Sequence, residues 1–175
     1  MQRPIDFSKV VPTHELSGED AESDRLLEEM IERGRAYLSD FDWCGEIVES
    51  YVGDIAIGGV VAVLLFKIVP TRKGVDEWVW VIVGDLPPAY ITLDVAPNPA
   101  CALDGYVGAL REWVDAVKEG RSVEGLIPVE TQDGSAVLEP RLDVANALEN
   151  RLDSVDSEVL ANYEDDLRAT RKPTP

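Results

Sequence analysis

The segment that most constrains the fold is Trp78-Val-Trp-Val-Ile-Val83, an uninterrupted run of aromatic and β-branched residues. Successive side chains of a β-strand point to opposite faces of its sheet. Trp78, Trp80 and Ile82 would therefore face one way and the intervening valines the other, so both faces of this strand are apolar. We expect a central strand whose sheet is covered by helices on one face and by further helices or a second molecule on the other. If a second molecule covers that face, the protein is a homodimer.

The sequence around this strand predicts an antiparallel sheet. Between about residues 47 and 95, apolar runs alternate with turn residues, and the gaps are too short for crossover helices. A turn at 71–74 would close a hairpin between the second and third strands. The predicted strands, about four in number, lie at 46–52, 57–69, 77–83 and 89–95.

Helical patterns precede and follow the predicted strands in the sequence. Ser17-Gly-Glu-Asp20 fits a helix start, and apolar residues then recur at helical spacing as far as Leu38. Asn98 followed by Pro99 predicts the N-cap and first residue of a middle helix that stops near Gly120.

A third helix is predicted at about 141–169, where it would be roughly 40 Å long. Poor helix formers cluster at 153–157 and favour a break there. An apolar seam along this helix fits either packing on the core of the same chain or pairing with a partner helix, and the sequence favours the first.

These patterns together predict an α+β fold: a central, mainly antiparallel sheet flanked by an N-terminal helix, a middle helix and a long C-terminal helix. We expect residues 1–175 to form a single domain. Within it, 1–16 would be an extended strap, 20–130 the core and 135–170 a C-terminal helical extension.

Charge excludes several classes of partner. The chain has 34 acidic and 16 basic residues and a net charge of −18, and it contains no basic patch. Such a surface repels nucleic-acid phosphates and anionic lipids. The longest apolar run, 55–66, is well short of the roughly 20 residues that span a bilayer. We expect no nucleic-acid partner and no membrane partner.

The sequence predicts no catalytic set, no metal site and no cofactor. Its single histidine, His14, lies in the predicted strap, and its two cysteines, Cys44 and Cys101, are too few for a disulfide framework. Four Cys or His ligands at close spacing are typical of structural zinc, and three scattered ones do not meet that requirement. Without a signal-like segment, the expected location is cytoplasmic.

Two short segments supply the candidate binding residues. In Asp42-Trp-Cys-Gly-Glu46 a thiol lies between carboxylates, whose negative charge would raise its pKa and suppress the thiolate. Gly84-Asp-Leu-Pro-Pro-Ala-Tyr90 is a stiff connector between two apolar strands. Tryptophan and tyrosine are frequent energetic anchors of interfaces. The candidate residues are Asp42, Trp43, Cys44, Asp85 and Tyr90.

Four runs resemble a family of small, acidic bacterial proteins of unknown function, over about residues 20–130. The resemblance implies a bacterial source and transfers no catalytic residue. The runs are Asp42-Trp-Cys44, Gly58-Gly-Val-Val-Ala-Val63, the segment from Trp78 to Tyr90, and Glu112-Trp-Val-Asp-Ala-Val117.

Three functions fit these observations. The favoured one is a non-enzymatic acidic interaction module, immunity-like or regulatory, that binds a basic protein partner. The first alternative is a small-molecule-binding protein or hydrolase, which requires Asp42, Cys44, Asp85 and Tyr90 to meet around a carboxylate-lined pocket. The second alternative is a structural homodimer.

Overall fold

The computed structural model describes residues 5–16, 20–93 and 96–171. The predicted helix-start residues 17–19 and the predicted strand end at 94–95 lie outside this part of the chain. The described elements are, in chain order, β1 (Val10–Pro12), α1 (Ala21–Ser39), β2 (Glu46–Ile57), β3 (Val61–Val69), β4 (Trp78–Gly84), β5 (Ala89–Thr92), α2 (Pro99–Lys118), α3 (Leu142–Ser154) and α4 (Glu164–Arg171).

The α+β fold class is confirmed, with one correction to the sheet. Neighbouring strands pair antiparallel in the order β1-β2-β3-β4-β5, so the sheet has five strands where about four were predicted. The additional strand, β1, comes from the predicted strap and pairs through Val10 opposite Gly53. Three residues are too few to show an alternating pattern, so only their pairing with β2 identifies them as a strand.

The boundary between the first two predicted strands also differs. β2 continues to Ile57, and the chain turns at Gly58–Val60. The register of β2 against β3 shifts between Ile47 and Glu49 and again between Val52 and Ala56. Such bulges interrupt the period of two on which the sequence prediction depended.

Helices of the same chain cover both faces of the sheet. On one face Leu38 and Met30 of α1 pack with Leu64 and Phe66 of β3. The opposite face carries Trp80 and packs against α2 and α3. In the part of the chain that the structure describes, helices of the same molecule therefore cover both apolar faces of β4, and the homodimer remains a prediction.

The long C-terminal helical region is confirmed and packs against α2 of its own chain. Helical geometry changes at Val155–Val159, a π-helical turn, and at the 3₁₀ turn Leu160–Tyr163, which is where poor helix formers predicted a break. Arg111 of α2 forms ion pairs with Asp153 and with Asp156. Across the described residues, no helix is both long enough and apolar enough to cross a membrane.

Candidate functional site

An aromatic cluster joins the end of α1 to the edge strand β5. Tyr37 is in the last turns of α1, Phe41 and Trp43 follow that helix, and Tyr90 is in β5. The ring centroids of Trp43 and Tyr90 are 5.1 Å apart, and those of Phe41 and Tyr90 are 5.2 Å apart. Phe41 stacks on Trp43 at 5.1 Å and meets Tyr37 edge-on at 5.2 Å. The four rings form one contiguous surface, here called the aromatic cluster.

A tight turn after α1 places Trp43 in this cluster. Gly45 has a φ of 63°, and a Cβ atom added there would lie 2.0 Å from the carbonyl oxygen of Val69. Only glycine fits such a close approach in the left-handed region. The hydroxyl of Thr71 donates to the backbone oxygen of Asp42 at 2.7 Å, and the amide of Thr71 donates to the carbonyl of Trp43 at 3.1 Å. The turn is thereby fixed to the β3–β4 connection.

A cleft of about 330 Å³ opens beside Trp43 and Tyr90 and is here called the Trp43 cleft. Tyr90 is 37% exposed and Trp43 is partly exposed, so both rings are accessible from solvent. The ring of Trp78 packs against Phe7, with centroids 5.4 Å apart, and the Nζ atom of Lys67 lies 5.5 Å from its centroid. The other lining residues are Gly74, Val75, Asp76, Trp78, Val79 and Thr92.

Carboxylates lie beside and beneath these rings. Asp76 lines the Trp43 cleft, and Asp42 forms an exposed ion pair with Arg72 on the neighbouring connection. Behind the cluster, burial raises the pKa of Tyr37, and the nearby Glu130 raises it further. Carboxyl groups therefore adjoin the aromatic cluster on more than one side, with the charge of Asp42 balanced by Arg72.

The carboxyl group of Glu130, close to Tyr37, lies in surroundings that disfavour its charge. Its Oε2 atom is buried and has no hydrogen-bond partner among the described residues. Burial raises the pKa of Glu130, and the charge of Asp40 raises it further. The ionised carboxylate is therefore disfavoured in the folded protein.

Replacing Glu130 by glutamine is expected to stabilise the protein at pH 7 by at most about 1 kcal/mol, since it removes the disfavoured charge but keeps a polar group there, and solvent screens a side chain that is only partly buried. Because the folded pKa lies above the unfolded value, the wild type is most stable relative to the variant below about pH 4.5. That advantage is lost as the pH rises through the folded pKa. Urea denaturation at pH 4 and pH 7 measures the difference, with the exposed Glu139→Gln as control. Equal pH dependence in the two variants would contradict the assignment.

The structure separates the five sequence-predicted binding residues. Trp43 and Tyr90 come together in the aromatic cluster, with Asp42 adjacent to Trp43 in the chain and paired with Arg72. Cys44 is completely buried on the α1 face of the sheet, and burial raises the pKa of its thiol. The flanking carboxylates to which the sequence prediction attributed this rise are not among its causes.

Asp85 lies at a different cleft, of about 290 Å³, between the β2–β3 turn and α3. Its carboxylate accepts a hydrogen bond from the amide nitrogen of Gln132 and lies 3.4 Å from a guanidinium nitrogen of Arg151. Asp85 and Tyr90 therefore line separate clefts, while Cys44 lines neither. The convergence that the hydrolase alternative requires is not formed.

Sequence reasoning missed the other members of this site. Tyr37 and Phe41 are spaced four residues apart, and this spacing could have placed them on one side of the α1 terminus. No local signal identifies Glu130, which reaches the cluster from the loop before α3. In the described ranges, no group of three or more His, Cys, Asp or Glu side chains could hold a metal ion.

Comparisons with protein-family models, with curated proteins and with solved structures find no match for this chain. The resemblance to a family of small acidic bacterial proteins therefore stays a prediction.

Proposed function

We propose that this chain is a non-enzymatic interaction module, immunity-like or regulatory, which binds a basic protein partner at the Trp43 cleft. The observation that carries the proposal is the accessible Trp43–Tyr90 ring pair in a cleft that is also lined by Asp76. Tryptophan and tyrosine concentrate binding energy at interfaces because they bury a large area with few rotatable bonds.

The cleft suits a lysine or arginine side chain of the partner. A cation over an aromatic face gains about 0.5–1 kcal/mol at an exposed site and about 2 kcal/mol when desolvated. Asp76 would add a carboxylate at the same place, whereas Asp42, next in sequence to Trp43, is already paired with Arg72. Aromatic faces and carboxylates together favour a cationic group over a neutral or anionic one.

The net charge of −18 supports the same class of partner at longer range. Opposite charges on two proteins accelerate their encounter and exclude partners of like charge. Salt screens this attraction, with a Debye length of about 8 Å at physiological ionic strength. Binding should therefore weaken as the salt concentration rises.

Capture from a lysate of the source cells tests the proposal when the wild type and a Trp43→Ala variant are immobilised side by side. We expect the wild type to retain a basic protein at low salt and to release it at high salt. The dissociation constant of that protein should rise at least about thirtyfold for Trp43→Ala, because truncating an aromatic hot spot costs about 2 kcal/mol or more. Calorimetric titration of the purified pair measures the change.

Val137→Ala is the matched control, since Val137 is 65% exposed and does not line the cleft. It should bind like the wild type. Circular dichroism establishes that both variants are folded. A partner that binds Trp43→Ala as tightly as the wild type would place the interface elsewhere, and the absence of any basic protein at low salt would reject the proposed class of partner.

A further inference from the structure

A second cleft, of about 330 Å³, shares no lining residue with the Trp43 cleft and differs from it in chemistry. It is bordered by the 3₁₀ turn Thr13–Glu15 that follows β1, by α1, and by the first half of β2. Arg35 of α1 lines it, together with His14, which is the only histidine in the chain. It is here called the Arg35 cleft.

Three hydrogen-bonding side chains meet in this cleft from separate segments of the chain. The hydroxyl oxygens of Thr13 and Ser50 are 2.7 Å apart, and the Nη2 atom of Arg35 donates to Ser50 Oγ at 3.3 Å. Because Ser50 Oγ accepts from Arg35, its own hydrogen can be donated to Thr13 Oγ1. The hydroxyl hydrogen of Thr13 is then available to a ligand. Arg35 also pairs with Glu32 of the same helix, its Nε atom 3.6 Å from a carboxylate oxygen, so the N–H groups that it can offer a ligand are those of its terminal nitrogens.

Three acidic groups lie near the cleft: Glu32 pairs with Arg35, Glu15 lies beside His14, and Glu49 has a partner outside it. Glu49 lines the cleft, but its carboxylate accepts from the hydroxyl of Tyr51 at 2.6 Å and from Lys67 at 3.4 Å. These contacts lower the pKa of Glu49, the Tyr51 hydroxyl contributing most. The side chain of His14 is 80% exposed, with its Nε2 atom 3.8 Å from a carboxylate oxygen of Glu15. The cleft thus brings an arginine, a histidine and two hydroxyl groups together, with the carboxylate of Glu49 at its border.

We infer that the Arg35 cleft binds the phosphoryl group of a small phosphate monoester or of inorganic phosphate. A guanidinium group matches phosphate oxygens in geometry and charge, and hydroxyl donors on a second side suit an anion with three or four acceptor oxygens better than a planar carboxylate. His14 adds a ring N–H donor at the border of the cleft. A volume of about 330 Å³ is at the small end of ligand sites, which fits a compact anion. The inference is independent of the proposed function because its cleft, residues and ligand charge are all different.

The test is an NMR titration of the isotopically labelled full chain with inorganic phosphate and, separately, with glycerol phosphate. Sodium chloride holds the ionic strength constant, and acetate serves as the carboxylate control. We expect saturable shifts of the Thr13, His14 and Ser50 amides with one or both phosphates and none with acetate. Saturation by glycerol phosphate alone would identify the ligand class as a monoester. Shifts that do not saturate, or equal saturation by acetate, would overturn the inference.

Arg35→Gln should weaken phosphate binding at least about tenfold, because it removes a charge-assisted donor. Arg25→Gln is the matched control: Arg25 is on the same helix, carries the same charge, and pairs with Glu22 and Glu29 outside the cleft. It should bind phosphate like the wild type. Equal weakening by both substitutions would mean that only net charge matters and would overturn a site at Arg35.

A second variant guards against local misfolding of Arg35→Gln, since the guanidinium of Arg35 also lies over the ring of Phe66 at 6.0 Å. Thr13→Val keeps the shape of the side chain and removes the hydroxyl donor. It should weaken phosphate binding about threefold or more, the usual effect of one neutral hydrogen bond. Wild-type affinity in both variants would overturn the inference.

Discussion

Gly84→Ala is expected to lower the free energy of unfolding by about 3 kcal/mol or more, since backbone strain and a steric clash add together. Gly84 is the last residue of β4 and has a φ of 149°, a conformation that residues with a Cβ atom rarely adopt. An added Cβ atom would lie 2.1 Å from the carbonyl oxygen of Val60 and 2.8 Å from the Cα atom of Val61. These are backbone atoms of the neighbouring chain segment and cannot rotate away.

The clash would also disturb contacts that hold this corner of the fold together. Gly84 is opposite Val61 in the β3–β4 ladder, and its carbonyl accepts a hydrogen bond from Arg33 of α1 at 3.0 Å. A displaced Gly84 would weaken the strand pair and the contact with α1 together. We therefore expect the loss of stability to be accompanied by weaker β3–β4 pairing at Gly84 and Val61.

Gly74→Ala separates strain from steric clash. Gly74 also has a positive φ, 84°, but no atom lies within 4 Å of its added Cβ position. Only the conformational cost remains, which is about 1–2 kcal/mol. Urea denaturation of both variants measures the difference. If Gly74→Ala were as destabilising as Gly84→Ala, the close approach to Val60 would not be the cause.

Trp80→Ala is expected to cost about 3–5 kcal/mol of unfolding free energy, the range for truncation of a large buried aromatic residue. Trp80 is completely buried, lies opposite Leu65 and Ile91 in the sheet, and belongs to the core cluster shared with α2. Its indole N–H donates to the carbonyl of Ala96 at 2.8 Å. The substitution would leave a cavity and a buried acceptor without its partner.

Two further variants separate these contributions. Trp80→Phe keeps most of the apolar volume but removes the indole donor, and we expect a smaller loss of about 1–3 kcal/mol. Trp43→Ala removes a tryptophan that is only partly buried at the Trp43 cleft, and it should be less destabilising than Trp80→Ala. Thermal and urea denaturation of the three proteins measure the order. A loss below about 1 kcal/mol for Trp80→Ala would contradict the placement of Trp80 in the core.

The difference between the two tryptophans bears directly on function. A variant at Trp43 should remain folded while losing the partner, whereas a variant at Trp80 should lose stability first. Binding loss in Trp43→Ala with an unchanged thermal midpoint would therefore support an interface at the cleft. The same loss together with unfolding would reflect a structural role.

The amino-acid sequence was sufficient for features that depend on local periodicity. A strand apolar on both faces at Trp78–Val83 required two covering layers, and helical spacing identified the helices that provide them. The break in the C-terminal helical region followed from weak helix formers at 153–157. Each of these features can be predicted from a short stretch of sequence, because burial of one face imposes a repeat of 2 residues on a strand and of about 3.6 residues on a helix.

Tertiary structure alone decided which distant side chains meet. Trp43 reaches Tyr90 because α1 packs on the sheet face to which Tyr90 points, while Asp85, five residues before Tyr90, faces the cleft beside α3. Pairing of a three-residue strand with β2 likewise brings Thr13 to Ser50. Strand register and helix packing determine these long-range contacts, and both depend on interactions throughout the core. No short stretch of sequence predicts such contacts. The sequence therefore determined the layers of this protein, whereas tertiary packing decided its clefts.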